Sequence, residues 1–138
     1  MVEIGFAQLL AQNTGVKALV GNAIQPIPAP EDLKLYPCVT YQVVSYTDLD
    51  DLDDGSAWGE QQRIIYTCWS QAAQDGGTYQ QANTIRKAVR TALEGFSGEL
   101  PDGTHVFMTK IDGKEDFFES ESRQYRCVLH ILVQYSDQ

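Results

Sequence analysis

Residues 123–135 place Tyr125, Cys127, Leu129, Ile131 and Val133 on alternate positions, with Gln124, Arg126, Val128, His130, Leu132 and Gln134 between them. Side chains along a strand point to its two faces in turn. A run of this length therefore predicts a long strand with one buried face and one partly apolar face. Two further runs share that character. After Tyr36-Pro37, the stretch 38–46 is rich in β-branched and aromatic residues, and Val39, Tyr41 and Val43 fall on one face. The stretch 61–70, QQRIIYTCWS, reads as a strand returning antiparallel to it across a polar loop, residues 47–60. A fourth strand, 104–111, follows the turn Pro101-Asp102-Gly103. A polar connection, residues 112–116, then leads to Phe117 and Phe118.

Helical spacing appears in three places. Phe6, Leu9 and Leu10 predict a short opening helix over 5–12, stopped by Asn13-Thr14-Gly15, and a further helical turn covers 16–20 and ends at Gly21. Ala82, Ile85, Val89, Ala92 and Leu93 form one apolar stripe, with Gln81, Arg86, Lys87 and Arg90 on other faces, Thr78 as N-cap and Gly95 at the C-terminal end. Between the first helices and the first strand, Pro26, Pro28 and Pro30 cannot donate ladder hydrogen bonds, so residues 24–30 read as an extended edge strand or surface strap. The order is α, strap, β, β, α, β, β. The predicted fold class is α+β: a mostly antiparallel sheet of four or five strands with long hairpins and helices packed on one face, in a single domain over 1–138.

Length and composition agree with one core, since 138 residues suit one domain, and 43% apolar with 21% charged residues is ordinary for a globular chain. A formal net charge of −9 argues against nucleic-acid binding by neutralisation of phosphates. No apolar stretch approaches the roughly 20 residues a bilayer span needs, and the amino terminus lacks a basic segment ahead of an apolar run, so a cytosolic chain with protein partners is expected. Cys38, Cys68 and Cys127 are odd in number and lack paired metal-ligand spacings, so they read as buried free thiols. No cofactor is implied.

The chemistry-bearing features are few. Asp48, Asp50, Asp51, Asp53 and Asp54 crowd one segment, yet a calcium loop with Gly55 at its sixth position would have Leu52 at position 3 and Gln61 at position 12, which breaks the ligand pattern twice. A solvated hairpin tip, or a loop reaching a basic patch on a partner, accounts for the carboxylates better. Trp58, in the Gly-flanked stretch 55–59, is a candidate interface anchor, with packing onto its own hairpin the competing reading. His105 and His130 lie in strand runs without a nucleophile motif nearby, and Gly76-Gly77-Thr78 lacks the Lys-Ser/Thr of a phosphate loop, so helix capping explains it.

The opening helix with Leu9-Leu10, the segment 15–21 (GVKALVG), the Pro-rich strap, the YPCVTY strand start, the YTCWS strand and the 82–93 helix together resemble the small tail-completion or tail-terminator proteins of long-tailed bacteriophages. The similarity runs from about Phe6 to the last strand and lies in the order of several motifs. Stretches 47–60 and 110–122 are where such proteins vary, so nothing carries over there. The resemblance implies a non-enzymatic subunit that forms a ring, typically a hexamer, at the head-proximal end of the tail tube, assembled in the host cytoplasm. Such a ring halts tube polymerisation, contacts the tail tube protein and the head connector or neck protein, and lets DNA pass as cargo. An acidic chain suits a channel through which DNA slides. The competing readings are another neck or minor tail component, a small hydrolase or ligand-binding domain, and a calcium-dependent module.

Overall fold

The computed structural model describes residues 2–27, 36–50, 57–72, 74 and 76–136, with the side chains of Asp50, Ala57 and Trp58 outside the description. Helices α1 (Val2–Gln12) and α2 (Thr14–Val20) open the chain, followed by strands β1 (Ile24–Pro26), β2 (Cys38–Asp50) and β3 (Ala57–Trp69). Helix α3 (Tyr79–Leu93) crosses to β4 (Gly98–Glu99), β5 (His105–Glu119) and β6 (Gln124–Ser136). Among the described residues the sheet has six strands, in the order β1-β2-β3-β6-β5-β4. All pairs are antiparallel except β1 with β2, which is parallel.

The expectation of four or five strands is thus corrected to six, because the strap supplies a three-residue parallel edge and Gly98–Glu99 a two-residue one. The strands are also longer than their apolar runs. β2 and β3 continue through most of the expected 47–60 loop, with Thr47 opposite Gln61 and Asp48 opposite Glu60. β5 likewise runs through the expected 112–116 connection, absorbing it in a register shift between Ile111 and Gly113. Backbone pairing continues in both places because each partner strand continues beside it, whatever the polarity of the side chains.

The helix ends follow their caps. Asn13 does more than stop α1: its side chain accepts from Val16 N at 3.1 Å and caps α2, which begins at Thr14. Thr78 Oγ1 accepts from Gln81 N at 3.1 Å as the N-cap of α3. Glu94 is the C-cap, and Gly95 (φ 73°) follows it in the left-handed region.

One core lies between the helices and the sheet. Phe6, Leu10, Val16, Val20, Ile85, Val89 and Leu93 pack with Val39, Tyr41, Ile64, Tyr66, Leu129, Ile131 and Val133. Those sheet residues meet in register, as in Val43–Ile64–Ile131–Ile111 and Val39–Cys68–Cys127, so one face is covered by helices. The alternate residues, including Thr40, Thr67, Ile65, Trp69, Arg126, His130 and Leu132, line the helix-free face. Because β2 and β6 run opposite to β3 and β5, the β2–β3 turn and the β5–β6 turn lie at opposite ends of the sheet. No described helix is long and apolar enough to cross a membrane.

Candidate interaction surface

The β2–β3 hairpin rises above the core from a buried polar base. Gln62, almost fully buried, donates to Tyr135 Oη at 2.9 Å, and that hydroxyl donates to Glu60 Oε2 at 2.5 Å. Glu60 is therefore held in place, directly across the ladder from the exposed Asp48. Two carboxylates face each other on one rung, an arrangement that disfavours the hairpin unless a cation comes near. Of the sequence-predicted interface residues, Asp48 is exposed on β2, and Asp50 is placed by its backbone at the strand's end. Asp51, Asp53 and Asp54 lie outside the described residues. Trp58 sits in β3 where the register shifts, between Ala57 opposite Asp50 and Gly59 opposite Leu49, and its side chain lies outside the description.

The opposite end carries a second group of side chains that sequence reasoning did not single out. On the helix-free face the Arg126 guanidinium lies 4.3 Å from the Phe117 ring centre and 5.7 Å from that of Trp69, with Glu119 Oε1 2.7 Å from its Nε. Trp69 donates to Thr40 Oγ1 at 3.1 Å and meets the half-exposed Tyr36 edge-on at 6.2 Å. On the helix side Phe118 stacks on Tyr125 at 4.7 Å, and Tyr79 meets Tyr125 at 6.1 Å. Alternation of Phe117, Arg126 and Trp69 on paired strands was present in the sequence, but the signal needs the β5 register, which the apparent loop at 112–116 hid.

Arg86 corrects its assignment to a polar face of α3. It is 5% exposed, and it reaches over β5 and β6. Its Nη1 donates to Asp116 Oδ1 at 2.6 Å, Glu115 O at 3.0 Å and Val128 O at 3.4 Å, and its Nη2 donates to Asn83 Oδ1 at 2.9 Å. Burial pushes the Asp116 carboxyl upward, but the hydrogen bond and charge of Arg86, aided by Cys127 and Tyr79, outweigh it and hold the carboxyl below its usual range. A carboxylate depressed in the folded state stabilises the fold above the ordinary Asp pKa, and that contribution fades as pH falls through the lowered value. The melting temperature of the wild type should therefore exceed that of Asp116→Asn at pH 7. The gap should close as the solution is acidified below about pH 4. Thermal melts across that range check this, and a gap that stays constant into acid would contradict it.

The thiols are placed as the sequence suggested. All three are buried thiols outside any disulfide, with Cys68 directly opposite Cys127 on the helix-covered face. Burial pushes both thiols up, Cys127 to about 11. Thiols held protonated in this way are poor nucleophiles. His130 lies on the other face of the sheet, with Nε2 2.7 Å from Glu115 Oε1, and His105 packs edge-on against Phe107 at 5.1 Å. The Cys68 and Cys127 thiols and the His130 imidazole are thus dispersed across the sheet. Among the described residues no group of three His, Cys, Asp or Glu is gathered closely enough to hold a metal.

The two long edges of the sheet are only partly covered. β1 pairs with β2 at residues 39–41, and β4 pairs with β5 at 105–106, with Gly95 N reaching Thr109 O at 3.1 Å. Beyond those rungs β2 and β5 are edge strands among the described residues, and Val44 (43% exposed), Tyr46 (64%), Phe117 (40%) and Phe118 (49%) stand on them. An α+β subunit with two long hairpins and partly open sheet edges is a scaffold for contacts with other proteins.

Comparison with known proteins gives that class a family. The family model described as tail completion protein gp17 matches residues 6–136, and the chain belongs to this family of structural tail-assembly proteins. Its fold is shared with a protein of the virion of a native gene transfer agent particle, at a TM-score of 0.74 and 19% sequence identity, covering 97% of this chain and 93% of that one. No curated protein matches the chain.

Proposed function

We propose that this protein is a non-enzymatic virion subunit that assembles into a ring, a hexamer, at the head-proximal end of a tail tube. There it stops tube polymerisation and joins tail to head. Membership of the tail completion family across 6–136 is the observation that carries the reading. The shared fold with a gene transfer agent virion protein supports a place in a particle. A ring subunit needs complementary surfaces for its neighbours and for the rings above and below. The two hairpin ends, one acidic and one aromatic, supply chemically different surfaces at opposite ends of the sheet. Its partners are copies of itself, the tail tube protein and a head connector or neck protein, with DNA passing as cargo through an acidic annulus. Asp48, Asp50, Asp51, Asp53, Asp54 and Trp58 are proposed to contribute to contacts between subunits or between rings.

The test combines light scattering across a concentration series with a tube-assembly assay. The expected outcome is a discrete mass several times 15.4 kDa and tube protein polymers that stop growing once capped. A chain that stays monomeric and leaves tube growth unchanged would refute the proposal. Capture by connector protein alone, with no effect on tubes, would favour a different neck component.

A further inference from the structure

Resting on the ring reading, we infer that neighbouring subunits join edge to edge, the open part of β2 in one copy pairing antiparallel with the open part of β5 in the next. The sheet then continues from subunit to subunit. Past Tyr41, whose carbonyl accepts from Ile27 N at 2.9 Å, β2 has no strand on its outer side over residues 42–50 among the described residues. Past Thr109, β5 has none over 110–119 among the described residues, where Arg86 reaches Glu115 O and Tyr79 the Asp116 carboxylate. Uncovered edges of this length carry rows of unpaired backbone donors and acceptors and invite another strand.

The charges distinguish the two edges. Each carboxylate of β5 is engaged from within the subunit: Asp112 by Arg63, Glu115 by His130, Asp116 by Arg86 and Glu119 by Arg126. Lys110 and Lys114 are exposed and have no carboxylate partner among the described residues, so two unpaired cations stand on this stretch of edge in a chain of net charge −9. The open part of β2 carries Asp48 instead, which faces Glu60 across its own hairpin. Opposite charges make the unlike edges the attractive pair. Pairing of unlike edges is head-to-tail, and such a contact closes into a ring when the rotation permits.

Register fits as well. Laid antiparallel with one register step at the Val44 bulge, so that the side chains of both strands keep to their own faces, the two open segments put Val44 beside Phe117 and Asp48 between Lys110 and Lys114. β1 then falls beyond the end of β5, and β4 beyond the end of β2, so each edge is capped only where the neighbour does not reach. Within one subunit Tyr46 is level with Thr109, through Gln62 and Val133, whereas the junction sets it beside Lys114, on the same face of the sheet. Counting the extra residue between Ile111 and Gly113, that stagger is about four residues, roughly 13 Å, across a repeat of four strands roughly 19 Å wide. The resulting strand tilt, roughly 35°, is one that closed sheets adopt.

Two measurements on the full chain test this. Val44→Cys combined with Phe117→Cys should give, under mild oxidation, a ladder of covalent oligomers ending at the ring, which neither single variant gives. Lys110→Glu with Lys114→Glu should raise the concentration at half assembly by roughly tenfold or more, and adding Asp48→Lys should bring it back. If the wild type assembles while the double-cysteine chain stays uncrosslinked and charge reversal has no effect, edge pairing is overturned and the ring survives. Crosslinking to added tube protein alone would assign the edge to that partner and also overturn it. A wild type that never assembles removes the ring reading and this inference together.

Discussion

Replacing Arg86 with methionine is expected to lower the unfolding free energy by about 3 kcal/mol. Methionine fills much of the same volume, so the loss is chiefly polar. Asp116, Asn83 and the carbonyls of Glu115 and Val128 lose a common donor, in a place where α3 otherwise meets β6 and β3 through apolar side chains. Asp116 is half-exposed and can be rehydrated, which keeps the penalty below that of a fully buried orphan charge. The Val128 carbonyl lies deeper and is harder to satisfy. Adding Asp116→Leu should recover part of the loss, because the second change removes the stranded charge. Urea titrations of the three variants measure the effect, and an unchanged midpoint for Arg86→Met would show that the guanidinium does not hold the helix to the sheet.

A change of comparable size is expected from Gly77→Ala. A Cβ built on Gly77 would lie 1.7 Å from the carbonyl oxygen of Gln71 and 2.4 Å from its carbonyl carbon. Backbone atoms cannot rotate away as a side-chain tip can, so the segment ahead of α3 has to move. That movement breaks the bond from Gly77 N to Ala72 O (3.0 Å) and disturbs the one from Gln71 N to Gln81 Oε1 (2.8 Å). Overpacking of this kind costs about 2–3 kcal/mol, and for a domain of this size should lower Tm by roughly 10 °C. Gly76→Ala is a useful contrast, since its Cβ meets nothing within 4 Å and its cost comes only from a φ of 94°. Equal melting temperatures for wild type and Gly77→Ala would contradict the close approach.

Both residues show where local pattern stops being informative. Gly76-Gly77-Thr78 is legible as the start of a helix, and Thr78 does cap α3. The contact between Gly77 and Gln71 depends on how the chain returns from β3, which no spacing records. Arg86 falls among polar neighbours in a sequence whose apolar stripe accounts for the rest of α3. Its burial comes from the strands beneath it, where Asp116 arrives from a position 30 residues later.

The sequence by itself determined the elements whose side chains must leave water: the alternating 123–135 strand, the apolar halves of β2 and β3, the stripe of α3, the buried thiols, and a proline strap confined to a sheet edge. Hydrophobic burial imposes those periods locally, so they can be read without knowing the partners. Tertiary structure decided how far β2, β3 and β5 extend into polar sequence, which carboxylates on β5 are neutralised from within, and where the sheet is left open. Strand length in those regions is set by backbone pairing with a neighbour distant in sequence, and ion pairing by register, so neither leaves a periodic trace in the chain.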